Sequence, residues 1–373
     1  MNQLYLYEFK QKRLQDKKIK IGLLGTCLAH GGANKMQALY SIAFENAGYE
    51  VHHILVNPEI EFDYRGKVMH LSPFKNGMFN RLKRFLVLRK FIQTEQLDYL
   101  IDFRSRTKPI MELLLTKFVF TCPYIPTVHS YELDFYFPKS KWISKLIYQK
   151  AFKIIAISKT IEKKIIDLYG FSNVTTIYNP IDYAAIQQLA EKPILLNFPF
   201  ILAAGRMDED NIKQFDKLIE TYAQSDLATS AYHLVFLGDG VLRPQFEHLV
   251  ERLQLKEKIH FYGFQSNPYP FMKKAHFLVL CSKNEGYPTV LTESLACETP
   301  VISFDCASGP NEIIKPNENG LLVENQNFDA LKIVMERMIS YKELYSNCKK
   351  NAQNQKDLHS FEQFIKDWKT ILT

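Results

Sequence analysis

The sequence predicts an α/β protein with two doubly wound domains that face each other across a cleft. Short apolar runs alternate with helical patterns along the chain, from KIGLLG at 20–25 to GLLV at 320–323. Strands that alternate with helices form parallel sheets covered by helices on both faces. The 373 residues are more than twice the length of a typical domain, so we expect two domains of similar size.

We predict six strands in each half of the chain, each from a short apolar run. They cover residues 20–25, 51–56, 98–103, 124–130, 153–158 and 174–178, then 200–205, 233–239, 259–263, 276–282, 300–305 and 320–323. The boundary divides the chain into residues 1–190 and 191–355, and the pattern at 360–372 predicts a final helix. Such sheets bind ligands at the carboxyl ends of their strands, so the site is expected in the cleft.

The composition favours a cytoplasmic protein without a membrane span. The six cysteines form neither a CxxC motif nor a cluster with histidines, which is typical of buried free thiols in a reducing compartment. The first 18 residues are charged throughout, unlike a signal peptide, and no apolar stretch approaches the length needed to cross a bilayer. No internal repeat is evident, which excludes a solenoid.

Positive charge is concentrated in the first half of the chain. Residues 1–190 contain 27 Lys and Arg against 16 Asp and Glu, a balance of +11, whereas the remainder has a balance of −4. Two segments, 74–91 and 139–153, combine this charge with apolar side chains at helical spacing. They include Phe79, Arg81, Leu82, Lys83, Arg84, Phe85, Leu86, Arg89, Lys90, Trp142 and Tyr148. Such helices suit an anionic membrane surface, and a solvated helix face over the core is an equal alternative.

The segment from 282 to 310, SKNEGYPTVLTESLACETPVISFDCASGP, carries the clearest chemistry. Pro288 is suited to the start of a helix, so the segment predicts a strand, a tight loop and a helix. The N–H groups at such a helix start favour phosphate. Glu285 in the loop and Glu293 beyond the first helical turn flank this point. Two carboxylates beside a phosphate site predict a nucleotide linked to a polyhydroxylated group.

The run NEGYPTVLTESLAC, followed by PVISFD and ASGPNEII, resembles the donor-binding signature of retaining glycosyltransferases of family 4. The resemblance implies the GT-B fold, with two Rossmann-like domains and a last helix (356–373) that crosses back to the first domain. It implies that Glu293 holds the ribose and that Glu285 contacts the sugar or stabilises charge at its anomeric carbon. The backbone of Gly286, Tyr287, Pro288 and Thr289 would bind the sugar and phosphate.

AAGRMDEDNIK (203–213) resembles the family's GR…K motif, whose Arg and Lys hold the donor phosphates. Two cations after a strand can neutralise a departing diphosphate, a task otherwise done by a metal. The resemblance therefore implies Arg206 and Lys213 as catalytic and donor-binding residues. Asp208 and Asp210 form a DxD string, which we interpret as a solvated loop, and we expect neither a catalytic metal nor a cofactor.

Other donor contacts follow from weaker resemblances. Gly31 and Gly32 precede a helix, where glycines let a ligand approach the backbone, and the family's loop here lies against the donor diphosphate or the acceptor. LGDGVLR resembles the family's GDG-x-x-R segment and implies Gly238. FYGFQSNPYP resembles the segment that packs against the nucleotide base near Phe264 and Gln265.

Two strand ends of the first half carry further candidates. His129 follows the strand at 124–130, and the family has a histidine there near the donor sugar. Arg104 and Arg106 in IDFRSR would meet a phosphate on the acceptor, or equally form a structural salt bridge.

These resemblances imply a retaining hexosyltransferase that uses a nucleotide sugar, expected to be UDP-linked. The basic first domain favours a glycan or lipid-linked acceptor at the inner face of the cell membrane, in lipopolysaccharide, capsule or related polysaccharide biosynthesis. Nucleic acid is not expected as a partner, because no recognition motif accompanies the charge. The alternatives are a GDP-mannose-dependent mannosyltransferase, an inverting enzyme with His129 as base, an epimerase, and a non-catalytic GT-B protein that binds sugar nucleotides.

Overall fold

The chain forms two parallel sheets flanked by helices. A computed structural model describes residues 18–74 and 78–372, and within them thirteen strands form one sheet of seven strands and one of six. Within these residues the paired strands, such as β1 (Lys20–Gly25) and β2 (Glu50–Leu55), all run parallel. The predicted fold class is therefore confirmed. Phe79 and Arg81 lie outside the residues whose side chains are described.

The first domain contains the seven-stranded sheet. Its remaining strands are β3 (Lys67–His70), β4 (Tyr99–Asp102), β5 (Tyr124–Val128), β6 (Ile154–Ala156) and β7 (Val174–Thr176), in the order β3-β2-β1-β4-β5-β6-β7. Its helices are α1 (Gly32–Asn46), α2 (Met78–Glu95), α3 (Pro109–Leu114), α4 (Lys141–Tyr148) and α5 (Lys159–Tyr169). A short π-helical turn, Leu115–Val119, continues α3.

The second domain contains the six-stranded sheet. Its strands are β8 (Phe200–Ala204), β9 (His233–Leu237), β10 (Ile259–Phe261), β11 (Leu278–Leu280), β12 (Val301–Phe304) and β13 (Gly320–Val323), in the order β10-β9-β8-β11-β12-β13. Its helices are α7 (Phe215–Ala223), α8 (Arg243–Arg252), α9 (Tyr269–Lys274), α10 (Thr289–Ala296), α11 (Pro310–Ile313), α12 (Phe328–Ser340) and α13 (Lys342–Lys350). The connecting helix α6 (Tyr183–Ala190) packs against α9 and α10.

The strands are apolar because helices cover both faces of each sheet. In β1 and β8 almost every side chain is buried, whichever face it is on. Parallel sheets buried on both sides give continuous apolar runs rather than alternation, which is why these strands are evident in the sequence. The edge strand β3 was not predicted, since its KVMH sequence is short and its side chains are half-exposed or exposed.

Several strands end earlier than predicted. The fifth strand stops at Val128 rather than at residue 130, so His129 belongs to the following loop. Likewise β11 stops at Leu280, ahead of the loop that contains Glu285. Strand ends therefore bring the candidate site residues to the carboxyl edges of both sheets.

The last helix, α14 (Phe361–Lys369), lies on the first domain. The Phe364 ring contacts the Tyr40 ring of α1 with centroids 4.5 Å apart, and the Trp368 ring lies 5.4 Å from that of Phe44. Trp368 is fully buried in this aromatic cluster. The chain thus passes from the first domain to the second and returns, which ties the two together.

Candidate functional site

The carboxyl edges of the two sheets meet at the loop between β11 and α10, residues 281–288. Glu285 lies in this loop, and its carboxylate accepts a hydrogen bond from Lys213 Nζ at 2.6 Å. Both side chains are mostly buried. The loop is further joined to the Lys213 segment by the Lys283 N–H, which donates to the Ile212 carbonyl at 2.9 Å. A predicted phosphate cation and a predicted sugar carboxylate are therefore held together.

Glu293 lies in the second turn of α10 and is 6% exposed. Its Oε1 accepts a charged hydrogen bond from Lys35 of α1, so a first-domain side chain reaches the predicted ribose carboxylate. Lys35 also donates to Tyr269 Oη at 3.1 Å. Burial, with the negative charge of Glu293, raises the pKa of Tyr269 to about 12, so the phenol is neutral. Lys35 and Tyr269 were not predicted as site residues.

Gly286 is placed where the two domains touch. A Cβ at this position would lie 2.2 Å from the His129 carbonyl oxygen, a distance that no side chain tolerates. Buried Ser308 donates to the Gly286 carbonyl at 2.7 Å, and its Oγ is 2.8 Å from that of Ser158 in the first domain. Since the Ser308 proton is used on Gly286, Ser158 donates to Ser308. The loop is thereby fixed to the first domain through main-chain and hydroxyl contacts.

His129 is a neutral imidazole. Burial and the positive charge of Arg106 lower its pKa to about 3. Its ring stacks on Phe103, and Nε2 lies 2.8 Å from Thr127 Oγ1. The Thr127 hydroxyl donates its proton to the Asp102 carbonyl at 2.9 Å, so Nε2 is the donor to Thr127. The lone pair of the neutral ring is consequently on Nδ1.

The loops after β8 and β9 pack closely beside the site. A Cβ at Gly238 would lie 1.9 Å from the Gly205 carbonyl oxygen, which explains the glycine at this position. Arg206 follows Gly205, and its guanidinium is 75% exposed and pairs with Asp208 at 2.9 Å. The end of β8 therefore carries a long, exposed cationic side chain, Arg206, in addition to the more buried Lys213.

The predicted base segment follows β10. Phe264 is largely exposed, and the Gln265 side chain donates to the Tyr262 carbonyl at 2.7 Å. The Gly238 N–H donates to the Gly263 carbonyl at 2.8 Å, which joins this segment to the loop after β9. An exposed aromatic ring here is free to stack on a planar ligand.

The glycine pair leaves open space at the start of α1. In the part of the chain that the structure describes, no atom beyond the adjacent residues and the helix's own backbone lies within 4 Å of where a Cβ would be at Gly31 or Gly32. Gly31 has a φ of 84°, which favours glycine. Asn34 holds the preceding turn by donating to the carbonyls of Ala29 and His30 at 2.9 and 2.8 Å.

Arg104 and Arg106 have different surroundings. Arg104 forms ion pairs with Asp102 at 2.8 Å and Glu112 at 3.2 Å. This is the structural salt bridge that we gave as the alternative to a contact with an acceptor phosphate. Arg106 is 1% exposed, and its guanidinium donates to carbonyls that include Thr127 at 2.9 Å. Burial alone would raise the pKa of Asp102, but the two guanidinium groups hold it below its ordinary value. The acceptor role of both arginines stays a prediction, and Arg106 would serve it by supporting the strand end.

A cavity of about 220 Å³ lies beside Arg104, between α2 and α3. Arg84 and Lys108 contribute to its wall, together with apolar side chains such as Met111. It is at the carboxyl edge of the first sheet, on the side where the acceptor is predicted.

Glu312 of α11 forms another contact between the domains. Its carboxylate accepts from the N–H groups of Lys159 and Thr160 at 2.9 and 3.0 Å, at the first turn of α5. Tyr178 Oη donates to the same carboxylate at 2.9 Å. Anions are favoured at helix N-termini, so this contact stabilises the junction. The sequence gives no sign of this pairing, because the partners are more than 130 residues apart.

Within residues 18–74 and 78–372, every helix is too short or too polar to cross a membrane.

Known proteins resemble both halves of the chain. Residues 30–185 match the family described as Glycosyltransferase Family 4, and residues 186–355 match Glycosyl transferases group 1. The chain is 32% identical to the N-acetylgalactosamine-N,N'-diacetylbacillosaminyl-diphospho-undecaprenol 4-alpha-N-acetylgalactosaminyltransferase of Campylobacter jejuni, over 85% of this chain and 90% of the relative. A second relative from that organism, GalNAc-alpha-(1->4)-GalNAc-alpha-(1->3)-diNAcBac-PP-undecaprenol alpha-1,4-N-acetyl-D-galactosaminyltransferase, is 28% identical over 93% and 98% of the two chains.

Among solved structures, a mutant of S. aureus TarM in complex with fondaparinux, alpha-GlcNAc-glycerol and UDP is similar in fold. The TM-score is 0.76, with 13% identity over 95% of this chain and 100% of that one.

Proposed function

Since this chain belongs to glycosyltransferase family 4 and has the GT-B fold, we propose that it transfers a hexose or N-acetylhexosamine from a UDP-sugar to a lipid-linked glycan, with retention of anomeric configuration. The observation that carries the proposal is the pair of carboxylates on either side of the α10 N-terminus. Glu285 lies before this helix, beside the cation Lys213, and Glu293 lies within it. The arrangement matches the two polyhydroxylated ends of a nucleotide sugar and the diphosphate between them.

The donor would lie along the loop and the start of α10. Glu293 would accept hydrogen bonds from the ribose hydroxyls, and the backbone of residues 286–289 would contact the diphosphate and the sugar. Phe264 would stack on the base. Two features of the structure support these roles: the start of α10 and the exposed Phe264 ring both follow carboxyl ends of strands in the second sheet.

Charge on the departing diphosphate would be neutralised by Lys213 and Arg206. Lys213 is held in position by Glu285 at 2.6 Å, so its ammonium is preorganised, which is the main requirement for electrostatic catalysis. Arg206 is exposed and can adapt to the phosphates. When the diphosphate binds the Lys213 ammonium, the Glu285 carboxylate would be released from this lysine. It would then contact the sugar.

The reaction would follow a same-face displacement. The bond between the anomeric carbon and the diphosphate oxygen breaks, and the acceptor hydroxyl forms the new bond on the same face. Its proton passes to the oxygen of the departing phosphate, so no protein base is required. Neutral His129, with the lone pair on Nδ1, would accept a hydrogen bond from a sugar hydroxyl and orient the ring.

The donor is tested by a thermal-shift screen with UDP-GlcNAc, UDP-GalNAc, UDP-Gal, UDP-Glc and GDP-Man, with UDP and GDP as controls. A ligand at about a hundred times its dissociation constant adds roughly 2.7 kcal/mol to the free energy of unfolding. We expect one UDP-sugar to give this shift and Glu293→Ala to abolish it, while Glu318→Ala, an exposed carboxylate in the same domain, retains it. A shift with GDP-Man alone would favour the mannosyltransferase, and the absence of any shift would refute the proposal.

Retention is tested separately, by NMR of the product. The anomeric coupling constant of the transferred sugar should match that of the nucleotide sugar. A product with the opposite configuration would require a protein base and would overturn the mechanism above. The names of both Campylobacter relatives describe α-linked products, which an α-linked nucleotide sugar gives with retention.

A lipid-linked acceptor is supported by two relatives that act on undecaprenol-linked sugars and by the surface of the first domain. Large apolar side chains are exposed on α2, α3 and α4: Leu86 is 68% exposed, Ile110 79% and Trp142 72%. Arg89 of α2 donates to the Phe118 carbonyl beyond α3, so these elements are neighbours. Together with the balance of +11 in residues 1–190, this surface suits the inner face of an anionic membrane. The pathway would be lipopolysaccharide, capsule or related polysaccharide biosynthesis.

Membrane attachment is tested by co-sedimentation with phosphatidylcholine vesicles, with and without phosphatidylglycerol. We expect binding to the anionic vesicles only, weakened by salt, since each Lys or Arg near the surface contributes about 1 kcal/mol. Ile110→Ser and Trp142→Ser should each reduce binding. Ile333→Ser, equally apolar and 60% exposed but in the second domain, should not. Equal binding by all variants would show that this surface is not the membrane contact.

A further inference from the structure

The predicted ribose carboxylate has a partner from the opposite domain. Lys35, in the first turn of α1, places its ammonium on Glu293 Oε1 and 3.1 Å from Tyr269 Oη. The Lys35 side chain is 26% exposed and that of Glu293 8%. The two residues are 258 positions apart, so the contact exists only because the domains close on each other.

This lysine does not serve the helix that carries it. A cation in the first turn opposes the helix dipole, and α1 has no acidic side chain there to offset it. The compensation comes from Glu293 instead. Burial alone would lower the pKa of Lys35, but Glu293 and Tyr269 outweigh it and hold that pKa above its ordinary value. Lys35 is therefore charged, and its charge is directed at Glu293.

Glu293 in turn depends on the lysine. Burying a carboxylate to this degree is costly unless a cation or several hydrogen bonds stabilise its charge. Among the described residues, the hydrogen-bond donor to Glu293 is Lys35, and it uses Oε1. The second oxygen, Oε2, has no partner in that part of the chain and is not enclosed. One oxygen is thus fixed by the first domain, and the other is available to a ligand.

We propose that Lys35 is a positioning residue for the ribose of the donor: its ammonium holds Glu293 Oε1 and leaves Oε2 to the ribose hydroxyls. This inference rests on the proposed function and adds that the first domain takes part in recognising the nucleotide. Tyr269 completes the arrangement, since its neutral hydroxyl holds the ammonium from the other side. The chain should therefore distinguish ribose from deoxyribose, and the distinction should depend on Lys35.

The test compares the binding of UDP and 2′-deoxy-UDP by calorimetry. A hydrogen bond to a charged group is worth a factor of roughly 10 to 100 in affinity, so the unaltered chain should prefer UDP by about that factor. In Lys35→Met, which keeps the side-chain length without the charge, the preference should fall below about threefold. Lys35→Arg should restore it. Lys342→Met, an exposed lysine in the first turn of α13, should behave like the unaltered chain.

A structural role alone would not reproduce one further readout, which is measured on Lys35→Met. The donor KM should rise while kcat stays within about threefold, since ribose contacts bind ground state and transition state alike. Circular dichroism shows whether Lys35→Met is folded. If it is not folded, the test rests on Lys35→Arg, which keeps the charge and should keep the preference for UDP.

The outcomes separate the two proposals. If the unaltered chain binds no nucleotide, the proposed function fails and this inference with it. If it binds UDP and the preference over 2′-deoxy-UDP survives in Lys35→Met, the inference alone is wrong. The preference for UDP should be lost in Lys35→Met and in Glu293→Gln. If the double variant loses no more of this preference than either single variant, the two residues act on the same hydroxyls.

Discussion

Four histidines, of which His53 and His359 are fully buried and His129 and His276 half-buried, make the stability of the fold sensitive to mild acid. Burial lowers the pKa to about 4 for His53, His276 and His359. Burial and Arg106 lower that of His129 to about 3. All four are neutral in the folded chain at neutral pH, whereas in the unfolded chain they titrate near their ordinary value of about 6.5. Below that value the unfolded state binds more protons than the folded state, so stability is lost as the pH falls from about 6.5 towards the folded pKa values.

The magnitude follows from proton linkage. Between about pH 7.5 and pH 5.5, each such histidine lowers the free energy of unfolding by about 1.4 kcal/mol, and four lower it by about 5–6 kcal/mol. This is comparable to the whole stability of an ordinary domain. The corresponding fall in Tm is on the order of 10 °C. Three of the four, His53, His129 and His359, contact the first domain or the crossover to it, so that unit should lose most.

The assay is urea unfolding at a series of pH values across this range, with Tm measured in parallel. His359→Gln should reduce the slope of unfolding free energy against pH by about 1.2 kcal/mol per unit near pH 5.5, because one titrating group is removed. His248→Gln, at an exposed position, should leave the slope unchanged. A Tm that stays constant within about 2 °C from pH 7.5 to 5.5 would refute the reasoning, since it would mean that these histidines titrate alike in both states.

Three substitutions test the contacts that join the domains. Gly286→Ala puts a Cβ 2.2 Å from the His129 carbonyl oxygen. The loop must then shift by about 1 Å, and kcat/KM should fall about 100-fold. Near-normal kinetics would show that the loop is not fixed at this point. Trp368→Ala empties a fully buried aromatic site and should cost about 3–5 kcal/mol in urea unfolding, whereas a loss under about 1 kcal/mol would mean that α14 does not need this contact. Glu312→Ala removes the carboxylate at the first turn of α5 and should cost about 1–2 kcal/mol; unchanged stability would indicate that water replaces it.

The fold was predictable because its sheets are parallel and buried. Strands covered on both faces are apolar throughout, so runs such as FILAA in β8 are distinct from the amphipathic helices between them. The edge strand β3 lacked this property and was missed. Strand ends were overestimated because polar residues that follow the apolar runs, such as His129 and Ser282, were included although the hydrogen-bonded ladder has already stopped. Boundaries depend on pairing with neighbours, which a local pattern does not contain.

The candidate site, too, was predictable only where its residues are close together in the sequence. Glu285, Gly286 and Glu293 belong to one loop and one helix, so their relation is set by short-range geometry and is evident in the sequence. Lys35 and Ser308 reach the same place from 258 and 22 residues away, through the packing of the whole chain. Arg106 was predicted to meet an acceptor phosphate or to form a salt bridge, and its full burial depends on three carbonyl acceptors that the sequence does not reveal.

The contact of Lys35 with Glu293 links nucleotide binding to closure of the domains. Separation of the domains would remove the Lys35 ammonium from the buried Glu293 carboxylate, which is costly. It would at the same time weaken the binding of the ribose by Glu293. Closure and donor binding must then favour each other equally, because linkage between two equilibria is reciprocal. Small-angle scattering should therefore show UDP compacting the unaltered chain more than Lys35→Met. Equal compaction of both would mean that closure is set by the Ser158–Ser308 and Glu312 contacts and that Lys35 follows it passively.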